Sequence, residues 1–326
     1  MINWHSFLIK NGALFSDKKE VSFINAFPIC PPPTENSYFV PLTHMGSIQI
    51  EGVEAKKFLQ GQVTCDVDQL SKEQGLFGAL CNPKGRVLAN FQLHETQDEK
   101  LLLIMHSSLI GITIQELTKY AVFSKVSITD SSELYVLFGT KFLHRDKVPN
   151  ISSALYHKDG RSIISIPIAS AIEFFTKLQR TSTMMSSNLW IYGDIQSGIP
   201  VLQKETSDLF VPQMLNLDYL DAISFTKGCY TGQEIVARMK YLGKLKRKMY
   251  RISRISNKIV LAGTPCYADN KKQISGYVVS CVQINLDLQE LLIVLTDKAA
   301  ESGYLMIDNA KIEKIEYLPL TYRTTN

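Results

Sequence analysis

The apolar residues of this chain come in short pieces, and that pattern sets what it can fold into. The longest uninterrupted runs, 101–105 and 291–295, fall far short of the roughly 20 residues that a membrane-spanning helix needs. Between such pieces Gly, Pro, Asn and Asp recur, leaving room for one strand or one short helix at a time. Layers of strand and helix are what this pattern builds. At about 100–200 residues per domain, a chain of 326 residues divides into two or three domains rather than one. With 45% hydrophobic and 20% charged residues, disorder is excluded. A net charge of +4 is too small to imply nucleic acid by itself.

Residues 1–37 read as an N-terminal arm, because Pro28 and the Pro31-Pro32-Pro33 run fix φ and remove amide donors. Residues 47–51 then alternate as a strand, and 53–60 read as a short helix closed by Gly61. Residues 75–81 and 86–94 form a hairpin about Asn82-Pro83-Lys84-Gly85, whose Pro and Gly suit a tight turn. A strand over 100–106, a helix over 109–120 and strands over 125–129 and 134–138 complete a first α+β domain, 38–140. A strand over 162–166, a helix over 170–180 and a strand over 189–195 open a second, 141–246. Frequent hairpins make the sheets largely antiparallel. From Arg247 the texture changes to β-like pieces at 249–252, 258–261, 274–281, 291–296 and 311–317, a small C-terminal β-barrel over 247–326.

Cysteines stand at 30, 65, 81, 229, 266 and 281, with no Cys-x-x-Cys pair and no zinc or cluster spacing, so no metal site is expected. Scattered thiols fit a reducing compartment. The first 20 residues hold Asp17 and Glu20, no Arg and no long apolar stretch, so neither a secretory nor a mitochondrial leader is read. A cytoplasmic location is expected, with no membrane contact.

Chemistry concentrates in Lys227-Gly228-Cys229-Tyr230-Thr231-Gly232-Gln233-Glu234. Two glycines permit an unusual backbone around the thiol, and a helix is expected from Gln233 onward through Arg238. Cys229 would sit just before a helix N-terminus with Lys227 two residues away, and both favour a thiolate. The plain alternative is a buried, inert cysteine in a turn.

The same segment resembles the hallmark motif of the YgfZ family, folate-binding relatives of the glycine-cleavage T-protein that assist iron–sulfur enzymes. The resemblance extends from about Pro41 to the C-terminus. It includes residues 58–67 (Phe-Leu-Gln-Gly-Gln-Val-Thr-Cys-Asp-Val), Lys84-Gly85-Arg86, Gly198-Ile199-Pro200, residues 210–217 (Phe-Val-Pro-Gln-Met-Leu-Asn-Leu), and Arg238 with Gly243 and Lys246-Arg247. It implies a T-protein-like fold of three domains in a ring, with tetrahydrofolate or another folate near Asp66, Trp190 and Gln196. It also implies a part in making or repairing iron–sulfur enzymes, including those that modify tRNA. Cys229 would be the reactive group, tuned by Lys227, with Gly228, Tyr230, Gly232, Gln233, Glu234 and Arg238 shaping the motif. Whether a reaction is catalysed stays open.

Two other functions are carried forward. An aminomethyltransferase of the T-protein type is suggested by Asp66 and by Thr43-His44-Met45-Gly46, but Gln196 stands where T-proteins carry a glutamate, and they lack the Lys-Gly-Cys-Tyr block. An RNA-binding module is suggested by eight basic and no acidic residues between 235 and 254, with Tyr241 and Tyr250 interleaved. A solvated charged face is the plain alternative, and direct nucleic-acid binding is not expected. Trp190 is either a core residue or a folate contact; on a strand, a shift of one residue would decide which.

Overall fold

The computed structural model describes residues 4–23, 37–72, 74–141, 153–268, 273–302, 304–308, 310–312 and 316–318. By contacts the chain falls into two compact, discontinuous units: 1–59, 67–76 and 91–190 in the first, and 60–66, 77–90 and 191–326 in the second.

In the first unit, strands Ser153–Tyr156, Arg161–Pro167, Tyr135–Lys141, Tyr38–Pro41 and Thr183–Met184 lie side by side in that order. Every pair is antiparallel except the last, in which Thr183 faces Tyr38 in parallel register. Helix Ala171–Thr181 covers this sheet with Ala171, Phe174, Phe175 and Leu178, the spacing of one helical face. These side chains share a core with Phe39, Phe138, Ile164 and Ile166. Leu8 of helix Trp4–Lys10 and Val21 and Phe23 of a small hairpin enter the same core. The N-terminal segment is therefore folded onto the unit over 4–23 rather than extended, because its apolar residues have a core to join. Pro28, Cys30 and Pro31–Pro33 lie outside the described residues.

A second sheet runs Leu76–Cys81, Val87–Glu95, Leu101–His106, Met45–Glu51, Ser127–Asp130. Leu101–His106 is buried at every position, which explains its unbroken apolar run. Helix Ile110–Ala121 follows it and buries Ile110, Thr113 and Leu117.

In the second unit, seven strands from Arg247 onward form one antiparallel sheet, a half-barrel whose edges are Ala310–Ile312 and Glu316–Leu318. Its core holds Ile252, Val260, Val278, Leu291, Ile293, Leu295 and Leu305. Two β expectations need correction here. Residues 258–261 are not a strand; Val260 is buried from a loop, and the neighbouring strand is Pro265–Tyr267. The piece expected over 311–317 is two strands, Ala310–Ile312 and Glu316–Leu318, on opposite edges.

The largest departure is at 189–195, expected as a strand and folded as helix Ser187–Ser197. Trp, Ile and Tyr favour strands, but Leu189, Trp190, Asp194 and Ile195 are all buried, and tertiary packing overrides local preference. Among the described residues no helix is long and apolar enough to cross a membrane.

Candidate functional site

The motif loop is held by a glycine-to-glycine contact. Gly232 has φ +81°, and a Cβ there would lie 2.6 Å from the Asn82 carbonyl oxygen and 3.1 Å from the Gly85 Cα. Gly85 has φ +68°, and a Cβ there would meet the Ile235 side chain at 2.8 Å. Neither position tolerates a side chain, so the hairpin turn 82–85 and the start of helix Gln233–Tyr241 approach at backbone distance. The turn is itself braced, since the Asn82 Oδ1 accepts from the amides of Lys84 and Arg86 at 2.9 and 3.0 Å. Beneath the helix, the buried Gln213 donates through Nε2 to the Val236 carbonyl at 2.7 Å.

Lys227 anchors the other end of the loop. Its ammonium donates to the carbonyls of Gln60, Val63 and Cys65, each at 2.7 Å, and faces the Gln60 Oε1 at 3.1 Å. It also lies 5.0 Å from the centre of the Tyr230 ring. The sequence places Lys227 as a charge that tunes the Cys229 thiol; the structure shows its ammonium hydrogen-bonded to the backbone of 60–65. Lys227 is thus a clamp that sets the loop's position. The Gln60 amide continues the chain, donating through Nε2 to the Asp66 Oδ1 at 2.6 Å. Lys227 and Asp66, drawn from two distant sequence blocks, therefore belong to one hydrogen-bonded set.

Cys229 is exposed and its thiol is free. Gly228 beside it is also exposed, and a Cβ there would find nothing within 4 Å. The thiol thus stands on bare backbone with open space at its side. The inert-cysteine reading fits the other thiols better: Cys65, Cys81 and Cys266 are buried, and burial pushes each up to about 12. Tyr230 turns inward, its hydroxyl buried without a hydrogen-bond partner among the described residues, and burial raises its pKa. Thr231 donates its amide to the Gly61 carbonyl at 3.3 Å. The Gln233 Nε2 reaches back to the Gly228 carbonyl at 3.4 Å. Glu234 in the helix's first turn and Arg238 in its last are exposed, with charges that complement the helix dipole.

Of the residues tied to folate by resemblance, Asp66 and Gln196 are half-buried. Trp190 does not fit that role. It is 1% exposed, and Gly139 is a glycine because a Cβ there would sit 2.3 Å from the indole. The Arg161 guanidinium lies 4.5 Å from its ring centre and donates to its carbonyl at 3.1 Å. Trp190 is a core residue on a helix, where adjacent positions do not swap faces.

The basic run is not one continuous surface. Lys240 pairs with Asp218, Lys248 with Asp297 and Arg251 with Glu290, while Arg254 is buried against Gln289. Arg238, Lys244 and Lys246 stay exposed. Among the described residues no group of His, Cys, Asp and Glu is placed to hold a metal ion. Sequence reasoning passed over Gln60 and the Asn82–Gly85 turn as site elements; the signal was their presence in blocks that match the same family as the motif.

Residues 35–140 match the GCVT N-terminal domain family. The whole structure is similar to the crystal structure of glycine cleavage system aminomethyltransferase T from Bartonella henselae, with a TM-score of 0.70 and 14% identity over 98% of this chain and 97% of that one. The fold is that of the aminomethyltransferase T class. Sequence narrows the class. The chain is 34% identical over 318 residues to the tRNA-modifying protein YgfZ of Hamiltonella defensa subsp. Acyrthosiphon pisum, covering 87% of this chain and 94% of that one. It is 32% identical over 321 residues to the tRNA-modifying protein YgfZ of Klebsiella pneumoniae, covering 90% and 97%. The chain belongs to the YgfZ family.

Proposed function

We propose that this chain is a folate-binding accessory protein that supports assembly or repair of iron–sulfur enzymes, including those that modify tRNA, in the cytoplasm. Cys229 is its reactive group. The observation that carries this reading is the contrast between the thiol and its mounting: an exposed sulfur on open backbone, in a loop locked at both ends by the Lys227 clamp and by the Gly232–Gly85 contact. A merely structural cysteine has no use for a rigid mount that presents it to solvent.

Tetrahydrofolate, when bound, supplies a one-carbon carrier. Asp66 and Gln196 are the residues of this chain suited to hold it, since a carboxylate accepts from pterin N–H groups and an amide both accepts and donates. Gln60 fixes the orientation of Asp66 and links it to the motif lysine. Titration with tetrahydrofolate should give binding that Asp66→Asn weakens about ten- to a hundredfold, the loss of one charged hydrogen bond of about 1.5–3 kcal/mol. Ammonia release from an aminomethylated carrier protein should be absent, because Gln196 cannot act as a carboxylate. Turnover in that assay would favour the aminomethyltransferase reading, and absence of folate binding would remove the cofactor.

A further inference from the structure

Lys84 and Arg86, on either side of Gly85, also line a cavity of about 450 Å³ together with Asp208, Leu209, Arg247 and Tyr277. This cavity includes none of Cys229, Lys227, Asp66 and Gln196. Its volume lies within the roughly 300–1,000 Å³ of small-molecule sites. Three cations and one carboxylate line it, and no ion pair joins them among the described residues. The Arg86 Nη1 donates to the Leu209 carbonyl, and the Arg247 Nη2 donates to the Ile274 carbonyl at 3.3 Å. Each guanidinium is therefore aimed by one backbone bond and keeps its remaining donors for something else. Lys84 has no side-chain partner among the described residues. The Asp208 Oδ1 accepts from the Asn82 Nδ2 at 2.7 Å, which fixes the carboxylate and leaves its second oxygen as an acceptor. The Tyr277 ring is held edge-on by Phe210, with centroids 6.3 Å apart.

We propose that this cavity binds a free mononucleotide through its phosphate. A phosphate has three terminal oxygens for three cations, and paired guanidinium forks match that geometry. A carboxylate beside them disfavours a simple anion and favours one that also carries a donor, as a ribose hydroxyl does. Tyr277 offers an aromatic surface of the kind a base stacks on. A strand of RNA would need a continuous basic track, and half of the adjoining run is already paired or buried. This inference does not depend on the folate or thiol reading.

The test is calorimetric titration of the full chain with AMP, inorganic phosphate, adenosine, a 5′-phosphorylated RNA pentamer and a polyglutamyl tetrahydrofolate. AMP is expected to bind at least about tenfold tighter than phosphate or adenosine. Lys84→Gln and Arg247→Gln should each cost about tenfold or more in AMP affinity, and Arg247→Gln should leave the rate of Cys229 alkylation unchanged. Asp208→Asn should weaken AMP but not inorganic phosphate. AMP binding that is absent, or untouched by Lys84→Gln, overturns the site. Phosphate binding as tight as AMP overturns the nucleotide assignment. So does tighter binding of the RNA or of the polyglutamyl folate that Lys84→Gln abolishes. Loss of tetrahydrofolate binding with AMP binding intact would count against the proposed cofactor and not against this cavity.

Discussion

A lysine ammonium can give three hydrogen bonds, and that of Lys227 meets three backbone carbonyls at 2.7 Å. Such acceptors have no side-chain signature and lie more than 160 positions away, so a clamp of this kind is invisible in a sequence. Only the lysine's place two residues before a cysteine is visible, and that place points to the thiol. Removing it strands those oxygens, and Lys227→Met should lower the unfolding free energy by about 2–3 kcal/mol, measured by urea titration. A loss under about 0.5 kcal/mol would contradict the clamp. The motif's glycines should separate in the same way. Gly232→Ala combines a left-handed backbone with a 2.6 Å approach to the Asn82 oxygen and should cost at least about 2 kcal/mol. Gly228→Ala meets nothing and should stay within about 0.5 kcal/mol, yet the added methyl narrows the open space beside Cys229. Its effect should appear in the alkylation rate of Cys229 and not in stability; the reverse pattern would show that Gly228 is structural.

At the scale of elements, periodicity located most of the scaffold. The hairpin about Asn82–Gly85, the buried strand Leu101–His106 and helix Ala171–Thr181 all declare themselves through turn chemistry or an apolar face. Helix Ser187–Ser197 does not, because burial on several sides erases the polar stripe that marks an amphipathic helix, while its Trp, Ile and Tyr point to a strand. That error had a functional consequence. Trp190 on a strand would have offered one face to a ligand; on the helix, with Gly139 and Arg161 against it, it offers none. The motif helix is the opposite case. Gly232 before it, Glu234 in its first turn and Arg238 near its end mark Gln233–Tyr241 in sequence. What the sequence could not supply was the partner, the Gly85 turn, since two glycines in contact leave no hydrophobic pattern.

Over the whole molecule, three histidines are locked neutral. Burial pushes His44, His94 and His157 down to about 3, helped at His44 by the nearby His106 and at His157 by Arg161 and His94, against Asp159. The unfolded chain protonates them near 6.5 while the folded protein does not, so their contribution is complete above that pH and falls as pH drops toward 3. With about 1.4 kcal/mol per histidine per pH unit below 6.5, stability should fall by roughly 4 kcal/mol between pH 7.5 and 5.5. Urea midpoints that coincide at the two pH values would contradict that burial. Native-state alkylation should reach Cys229 well before Cys65, Cys81 or Cys266, whose thiols are buried and raised to about 12. The most direct measurement is the activity of iron–sulfur enzymes in cells that carry Cys229→Ser in place of the wild-type chain, read beside the variant's tetrahydrofolate affinity in vitro. Enzyme activity should fall to the level of cells lacking the protein while folate affinity stays within about twofold. Full activity with Cys229→Ser would contradict it.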